Sequence, residues 1–373
     1  MGKKVIVAGH ICVDITPVFP EKKVKNLSEL LVPGGLINMN GADIHTGGAV
    51  ANTGLAMKLL GEDVSLMGKI GCDMFGGVIE GILKNYQAEE GLIRTEEEAT
   101  SYTIILAVPG IDRIFLHDPG ANNSFCAADI SEEVLRNADL IHFGYPPLLK
   151  KTYQNDGEEL VTLMRRAKEA GTATSLDLAT VDETSEAGMA DWDLILRKTL
   201  PFVDFFVPSA EELCRMLDKE RFQRWQQRAG DGDITECLDM EDDIKPLAEK
   251  CLAYGAKVVL IKCGCLGMYY QTSNAEKLKH VGAGAELSVE HWADKAGFEY
   301  SYLPEKVLSG TGAGDTSIAT FLTAMLRGYA PEECVRLAAA QGASCVEAYD
   351  ALGGLKSLEE LQEKINSGWK KSR

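Results

Sequence analysis

The chain has little positive charge for its length of 373 residues. Lysine and arginine together number 38, against 56 aspartates and glutamates, so the formal net charge is −18. A surface this acidic repels the phosphates of nucleic acids and anionic lipids, which argues against nucleic-acid and membrane partners. Long apolar runs are also missing, and none approaches the roughly 20 residues that a membrane-spanning helix needs.

Cysteine and histidine patterns typical of metal or redox sites are missing too. The ten cysteines and six histidines are scattered, and Cys263 and Cys265 form the only close cysteine pair. The apolar stretch at residues 5–8 is only as long as a strand and runs into a glycine, unlike a secretory leader. We therefore expect reduced, mostly buried thiols in a cytoplasmic protein.

Two common nucleotide-binding patterns do not occur. A Rossmann dehydrogenase needs Gly-x-Gly-x-x-Gly after its first strand, where this chain reads Gly9-His-Ile-Cys12. A Walker-type NTPase needs Gly-x-x-x-x-Gly-Lys-Ser/Thr, which is found nowhere in the sequence. Both classes of enzyme are therefore disfavoured.

Short β-branched runs alternate with segments of helical periodicity along most of the chain. This alternation predicts an α/β protein with a doubly wound, mainly parallel sheet flanked by helices. The strand candidates are residues 4–8, 64–67, 140–143, 173–177, 203–207 and 258–261, and residues 50–60 are a helix candidate.

Two segments break the alternation, at roughly residues 15–45 and 99–118. The second reads as a hairpin of residues 105–108 and 114–117. Together the two segments predict a small β-sheet lid on a single domain that spans residues 1–373. Residues 218–245 are polar and charged, and we predict a surface insertion with some helix and assign it no function.

The strongest chemical signal is the segment Gly310-Thr-Gly-Ala-Gly-Asp-Thr316. A strand-like stretch at residues 306–308 precedes it, and an amphipathic helix with Phe321 and Met325 on its apolar face follows. Glycines before a helix turn N–H groups toward one point, where the helix dipole favours negative charge. Asp315 can then accept a proton from an attacking hydroxyl while these N–H groups hold a transferring phosphoryl group. The plainer alternative is a Gly-rich turn with Asp as a cap.

Two further segments carry polar groups suited to a sugar. In Thr46-Gly-Gly-Ala-Val-Ala-Asn52, a ligand can approach the backbone at Gly47 and Gly48, and Asn52 can offer its amide to hydroxyls. Asp14 follows the first strand, where open α/β sheets bind ligands. Taken singly, a tight turn and an exposed aspartate explain these residues equally well.

These segments, in this order, resemble the ribokinase (PfkB-type) family of carbohydrate kinases. The resemblance includes residues 9–14, 47–52, 68–76, 117–122, 203–212 and 311–316 and covers nearly the whole chain. It implies a doubly wound α/β domain with a β-sheet lid that binds a small-molecule substrate. The implied reaction is ATP-dependent phosphorylation of a primary hydroxyl of a sugar or sugar-like molecule, with ATP and Mg²⁺ as cofactors.

The resemblance also implies a role for each matching residue. Asp315 is the expected general base, and Gly312, Ala313 and Gly314 are the expected anion hole. The residues expected to bind the substrate are Asp14, Gly47, Gly48, Asn52 and Arg113. Those expected to bind the nucleotide are Ser209, Lys262, Gly264, Gly267 and Thr311, and Glu212 is expected to bind the metal. Ser209 and Glu212 also have the spacing of a helix capping box, which explains them without a metal.

Several positions depart from the family pattern. Ser309 stands where many members have an aspartate tied to activation by a monovalent cation, so that dependence stays open. Ala49, Cys12 and Ala179 replace residues that contact particular sugars in relatives, so the resemblance assigns no named sugar. Arg113 lies in the hairpin, where it either reaches a carboxylate or phosphate of the substrate or is simply solvated.

Two alternatives to a sugar kinase remain. A nucleoside kinase of the same fold needs aromatic stacking, for which Tyr102, Phe115 and Phe125 are the candidates. A non-catalytic sugar-binding sensor is the remoter alternative. The lid often serves as a dimer interface in relatives, so a homodimer through the lid is a further expectation.

Overall fold

The computed structural model describes residues 2–21, 23–24, 26–111, 113–230 and 232–372. The strands are β1 (Lys4–Gly9), β2 (Cys12–Pro17), β3 (Ala42–Gly47), β4 (Asp63–Gly71), β5 (Ile93–Thr95), β6 (Tyr102–Leu106), β7 (Ile114–Asp118), β8 (Leu140–Gly144), β9 (Ala173–Leu176), β10 (Phe205–Phe206), β11 (Val258–Lys262), β12 (Gly267–Thr272) and β13 (Ala296–Tyr300). The six strand candidates from the sequence correspond to β1, β4, β8, β9, β10 and β11.

Nine of these strands form one large sheet in the order β13-β12-β11-β10-β9-β8-β1-β4-β5. The pairings from β11 to β5 are all parallel, whereas β12 and β13 pair antiparallel at one edge. Parallel neighbours need crossover connections, which explains the alternation of strands and helices in the sequence. The carboxyl ends of the parallel strands therefore meet at one edge of the sheet.

Helices cover both faces of the large sheet. They are α1 (Ala49–Leu59), α2 (Met74–Lys84), α3 (Glu132–Arg136), α4 (Lys150–Tyr153), α5 (Glu158–Glu169), α6 (Glu186–Met189), α7 (Trp192–Thr199), α8 (Ala210–Leu217), α9 (Lys219–Ala229), α10 (Lys245–Tyr254), α11 (Ala275–Leu278), α12 (Val289–Trp292), α13 (Ala313–Leu326), α14 (Pro331–Cys345) and α15 (Leu358–Asn366). Val5 and Val7 of β1 join a core with α1, α13 and α14, while Ile6 and Ala8 join a second core with α5, α7 and α10. Alternate side chains of one strand thus supply two separate cores, as a doubly wound sheet requires.

Four strands form a smaller separate sheet in the order β3-β2-β6-β7. The predicted hairpin is present as the antiparallel pair β6 and β7, and β2 joins β3 and β6. The predicted fold class, a large helix-flanked sheet with a small second sheet, is confirmed. One detail differs: β2 already begins at Cys12, so Asp14 lies within a strand of the small sheet rather than at the end of β1.

Two predictions around the Gly-rich segment were wrong. Residues 306–308 form no strand; they are part of an irregular loop in which Val307 is 71% exposed, whereas a central strand would be buried on both faces. Helix α13 begins at Ala313 and has Asp315 in its first turn as predicted, but it is not amphipathic. Every residue from Asp315 to Leu326 is buried, because α13 packs between α1 and α14.

The polar insertion at residues 218–245 is partly buried in the domain. It contains α9, whose Phe222 and Trp225 are buried in the second core. The Trp225 indole Nε1 donates a hydrogen bond of 2.8 Å to Asp243 at the other end of the insertion. The prediction of a surface segment was therefore wrong for its aromatic residues, whose burial anchors the insertion to the domain.

More than half of the cysteine thiols are buried. All ten cysteines are free, and six of them are buried. Within the described ranges, no helix combines the length and hydropathy that crossing a membrane requires.

Candidate active site

Asp315 lies at the carboxyl-end edge of the large sheet and is 4% exposed. Three side chains donate hydrogen bonds to its carboxylate: Asn52 Nδ2 at 2.9 Å, Thr53 Oγ1 at 3.2 Å and the Tyr145 hydroxyl at 2.8 Å. Burial raises the pKa of Asp315, and the hydrogen bonds from Asn52 and Tyr145 oppose that rise. The result is an oriented carboxylate that is more basic than a solvent-exposed aspartate.

The turn before Asp315 contains a backbone conformation that favours glycine. Gly312 is the N-cap of α13 and has a φ of 75°, a left-handed conformation that favours glycine. A Cβ atom at this position would overlap the side chain of Ala351. Gly312 is therefore required both for its conformation and for the packing of a neighbouring loop. The N–H groups of Gly314 and Asp315 lie in the first turn of α13, where they have no partner earlier in the helix and can serve an anion, whereas the Ala313 N–H donates to the Gly310 carbonyl at 3.4 Å.

A single lysine reaches this turn from β11. Lys262 pairs with Asp177, with its Nζ 2.8 Å from Oδ1, and both side chains are largely buried. A Cβ atom on Gly314 would lie 3.8 Å from the same Nζ atom. Burial raises the pKa of Asp177 to about 7, although Lys262 opposes the rise. The ammonium group thus stands beside the proposed anion hole and is held there by a buried carboxyl group.

The residues expected to bind sugar cluster on β2, β3 and the start of α1. Asp14 on β2 accepts a hydrogen bond of 3.2 Å from the Cys12 thiol. Burial raises the pKa of Asp14, and the carboxylate of Asp315 adds to the rise. A Cβ atom on Gly47 would overlap the Asp14 carboxylate, so glycine is needed for Asp14 to take this position. Asp14, Gly47 and Asp315 thus come together although they are far apart in the sequence.

A histidine pair borders this cluster. His10 is 3% exposed, and its ring lies 5.2 Å from the ring of His117. Gly48 has a φ of 87° and passes so close to His10 that a Cβ atom would lie 2.5 Å from the histidine Nδ1. Burial lowers the pKa of His10 well below its ordinary value, so the ring is neutral. The close neighbour of Gly48 in this structure is His10, and the approach of a ligand to Gly48 stays a prediction.

A cleft of about 710 Å³ opens beside Asp315. This volume lies within the range of small-molecule and cofactor sites. Ten of the predicted site residues line it: Arg113, Ser209, Glu212, Lys262, Gly264, Gly267, Gly312, Ala313, Gly314 and Asp315. Asp315 therefore stands between this cleft and the cluster around Asp14.

Arg113 connects the small sheet to the Gly-rich turn. Its Nη1 atom donates a hydrogen bond of 2.6 Å to the Thr311 hydroxyl, and its guanidinium also lies over the ring of Phe115. Thr311 donates its own backbone N–H to the Ser309 hydroxyl at 3.1 Å. The hairpin arginine thus reaches the turn that precedes the candidate base.

Ser209 and Glu212 form the capping box that the sequence allowed. The Ser209 hydroxyl accepts from the Glu212 N–H at 3.3 Å, and Glu212 Oε2 accepts from the Ser209 N–H at 3.1 Å. Both residues also line the cleft, so capping does not remove Glu212 from the site. In the part of the chain that the structure describes, no cluster of three or more histidines, cysteines or carboxylates could hold a metal ion by itself.

The three aromatic candidates for stacking a nucleoside base have other contacts. Phe125 is 1% exposed and packs against Phe143, and Tyr102 packs against Phe75. Phe115 is 55% exposed and lies under the Arg113 guanidinium. Phe125 is thus a core residue, which leaves two of the three near the surface of the small sheet.

The sequence reasoning assigned no role to three residues that contact the site: Tyr145, Thr53 and Asp177. Tyr145 follows β8 and Asp177 follows β9, and parallel strands bring their carboxyl ends to one edge. That rule could have found both residues. Thr53 carries no such signal, because only the packing of α1 against α13 brings it to Asp315.

Comparison with known proteins gives one consistent answer. The sequence model described as pfkB family carbohydrate kinase matches residues 3–357. An uncharacterized sugar kinase from Archaeoglobus fulgidus is 26% identical over 307 residues, which cover 81% of this chain and 98% of that protein. A ribokinase from Arabidopsis thaliana is 24% identical over 335 residues, covering 88% of this chain and 74% of that protein.

Solved structures agree on the fold. Arabidopsis thaliana ribokinase complexed with ribose and ATP has a TM-score of 0.69 and 21% identity, with 97% of this chain and 98% of that chain covered. A nucleoside kinase from Methanocaldococcus jannaschii has a TM-score of 0.65 and 20% identity, with 98% of this chain and 100% of that chain covered.

Proposed function

The chain belongs to the pfkB family of carbohydrate kinases, and from that premise we propose that it transfers the γ-phosphoryl group of ATP to a primary hydroxyl of a sugar or sugar-like small molecule. Asp315 acts as the general base. The observation that carries this proposal is the position of Asp315, buried in the first turn of α13 directly after the Gly-rich turn and between the two halves of the site.

The proposed reaction needs one proton transfer and one phosphoryl transfer. The Asp315 carboxylate takes the proton of the substrate hydroxyl, whose oxygen then bonds to the γ-phosphorus as the bond to the β-phosphate oxygen breaks. The N–H groups at the start of α13, together with Lys262, stabilise the negative charge on the transferring group. Asn52, Thr53 and Tyr145 hold the carboxylate in the orientation that this transfer requires.

The two halves of the site suit two different ligands. Asp14, Gly47, Gly48 and Asn52 offer a carboxylate, close backbone approach and an amide, which suit a hydroxyl-rich substrate. The cleft offers Lys262 and the Gly-rich turn, which suit the phosphates of ATP. Arg113 joins the two halves through Thr311, so closure of the small sheet as a lid would exclude water from the transfer.

The residues present also fit Mg²⁺. Mg²⁺ is usually held by one or two carboxylates together with phosphate and water oxygens rather than by a cage of protein ligands. The Glu212 carboxylate at the cleft would hold the ion, and its place in the capping box would orient it. When bound, the ion would neutralise phosphate charge.

The exposed side of the small sheet supports a proposal for assembly. Ile44 on β3 and Leu116 on β7 are each at least half exposed, at 50% and 51%, and they share one face of the sheet, because Ile44 pairs with Ile15, Ile15 with Ile104 and Ile104 with Leu116. Apolar side chains grouped on one small element are typical of interaction surfaces. We propose that two copies pair through this sheet, and sedimentation velocity of the wild type and of Leu116→Glu would measure it: loss of a dimer in the variant is expected, and a monomeric wild type would contradict the pairing.

Turnover on a panel of ligands tests the proposed function. ADP release is coupled to a reporter with ATP, Mg²⁺ and a panel of pentoses, hexoses, sugar acids and nucleosides. Turnover on at least one sugar or sugar acid above the rate of ATP hydrolysis alone is expected. Turnover on nucleosides only would favour a nucleoside kinase, and binding of sugars without turnover on any of them would favour a sensor.

A further inference from the structure

The insertion at residues 218–245 reaches the cleft where the proposed function places ATP. Asp233 and Thr235 line the cleft together with Gly264 and Cys265 of the turn after β11. Thr235 is 5% exposed and packs so closely on this turn that a Cβ atom on Gly264 would lie 2.7 Å from its Cγ2 atom. The Thr235 hydroxyl and the Cys265 thiol are 3.6 Å apart. The insertion therefore forms part of the wall of the site.

The position of Asp233 on this wall is fixed by its own hydrogen bonds. Its Oδ1 atom accepts from the backbone N–H and from the hydroxyl of Thr235, both at 2.8 Å. The insertion behind it is anchored by the buried Trp225 and its hydrogen bond to Asp243. An exposed carboxylate is thus presented to the cleft from a supported turn.

The lining of the cleft contains groups of different chemistry. The phosphate end is formed by the Gly-rich turn and Lys262. The lining also includes apolar side chains, among them Met268, Leu303 and Val346. Glu211 and Asp233 supply carboxyl groups to the same lining, and the charge of Asp233 adds to the rise in the pKa of Glu211 that burial causes.

Each part of a nucleotide suits only one of these kinds of group. Phosphates are repelled by carboxylates and attracted to the Gly-rich turn and Lys262. A base buries its faces best against the apolar side chains. The remaining groups of a nucleotide are the two ribose hydroxyls, which are hydrogen-bond donors, and a carboxylate is a strong acceptor for vicinal hydroxyls.

We infer that Asp233 accepts hydrogen bonds from the ribose hydroxyls of the bound nucleotide, which makes the insertion a nucleotide-recognition element. The inference rests on the proposed use of ATP. It gives the insertion a role that neither its polar sequence nor its anchoring in the core explains.

The test is equilibrium binding of ADP, 2′-deoxy-ADP and 3′-deoxy-ADP to the full chain by calorimetry, at fixed Mg²⁺. The variant is Asp233→Asn, because asparagine caps a turn as well as aspartate and keeps the local fold. The matched control is Glu236→Gln, which removes the same charge from an exposed residue of the same turn that does not line the cleft. None of these measurements requires the sugar substrate to be known.

The wild type and Glu236→Gln should bind ADP about tenfold more tightly than at least one deoxy analogue, as expected for a hydrogen bond to a charged group. In Asp233→Asn this preference should fall to about twofold or less. If Asp233→Asn kept the full preference for ADP over the deoxy analogues, the inference would be overturned. If that variant also changed the choice between ADP and inosine diphosphate, Asp233 would be assigned to the base instead. A wild type that binds no adenine nucleotide would instead overturn the proposed function itself.

Discussion

The carboxylate of Asp315 is buried, and the proposed reaction requires it to be charged as well. Burial alone favours the protonated form, which cannot act as a base. The three hydrogen bonds from Asn52, Thr53 and Tyr145 stabilise the charged form and fix its direction. The balance leaves the pKa raised, so Asp315 is a stronger base than an exposed aspartate but loses its proton at a higher pH.

The raised pKa predicts the acid side of the pH–rate profile. A base must be deprotonated, so kcat/KM should fall as the pH falls through the pKa of Asp315. The midpoint should lie above the ordinary aspartate value of 3.8. Initial rates measured from acid to neutral pH, with circular dichroism to show that the protein stays folded, provide the check. A midpoint at or below 3.8 in a folded protein would contradict the environment assigned to Asp315.

Tyr145→Phe should move this midpoint further. The variant removes a hydroxyl that donates to Asp315 at 2.8 Å and lowers its pKa, while keeping the buried ring. A hydrogen bond to a charged group contributes about 1.5 kcal/mol, so the acid limb should shift upward by about one pH unit. Tyr153→Phe, which removes a hydroxyl outside the site, is the control and should leave the profile in place. Equal profiles for the two variants would show that Tyr145 has no effect on the base.

The residue scale also shows what the sequence could reveal. Asp315 and Asn52 were predictable because each lies in a short string whose glycines require a particular backbone. Thr53 was not, because 262 positions separate it from Asp315 and no local pattern marks it, and Tyr145, 170 positions away, is indicated only by its place directly after β8. Their role exists only once β8 and α1 have packed beside α13.

At the scale of elements, α13 links the Gly-rich turn to the core. Its first turn holds Asp315, and the rest of the helix is buried between α1 and α14. A shift of the helix would therefore move the proposed base. The sequence predicted where this helix begins, because glycine and aspartate mark the start of a helix. The prediction that one face of the helix is exposed was wrong. Threonines and serines such as Thr320 and Thr323 are typical of a solvent-exposed face, yet these two residues are 0% exposed.

Two glycines at the ends of α13 offer a matched pair of variants. Gly312 has a φ of 75° and Gly328 a φ of 81°, so alanine is strained by about 1–2 kcal/mol at either position. An added methyl group overlaps Ala351 at Gly312 but meets open space at Gly328. Gly312→Ala should therefore lower kcat about a hundredfold or more, as expected when anion-hole donors are displaced.

Gly328→Ala should lower the melting temperature by a few degrees and leave kcat within about twofold of the wild type. Steady-state kinetics and thermal unfolding of both variants provide the measurements. If both variants lost activity equally, helix strain rather than the catalytic turn would be the cause. If neither did, the Gly-rich turn would have no role in turnover.

At the scale of the whole molecule, the net charge of −18 opposes the approach of an anionic nucleotide. The repulsion acts over about 30 Å at 0.01 M salt but only about 8 Å at 0.15 M. Lys262 and Arg113 are the cations that line the cleft in the described part of the chain, and they act at short range. Under the proposed function, the acidic composition should therefore slow the association of ATP, while these two cations attract it at short range.

Raising the ionic strength from about 0.01 M to 0.15 M should therefore lower the KM for MgATP, by about twofold, through faster association. The KM for an uncharged sugar substrate should stay constant over the same range and serves as the control. Initial rates at several salt concentrations provide the measurement. A KM for MgATP that rises with salt would show that the local cations outweigh the net charge.

The large-scale architecture was predictable from the alternation of strands and helices, because crossover connections impose that alternation on a parallel sheet. The insertion was not, because its polar composition hides two aromatic residues that anchor it. The small sheet was predictable only in part. The hairpin pattern of β6 and β7 was visible in the sequence, whereas the pairing of β2 with β6 was not, because it joins segments about 90 residues apart.

The most direct test of the central claim is Asp315→Asn, compared with the wild type for both ADP binding and turnover on the sugar or sugar acid found in the panel. The amide keeps the size of the side chain but cannot take a proton. Turnover should fall by about a thousandfold or more while the dissociation constant of ADP changes less than about threefold. Turnover within about tenfold of the wild type, in a folded variant that still binds ADP, would contradict the assignment of Asp315 as the general base.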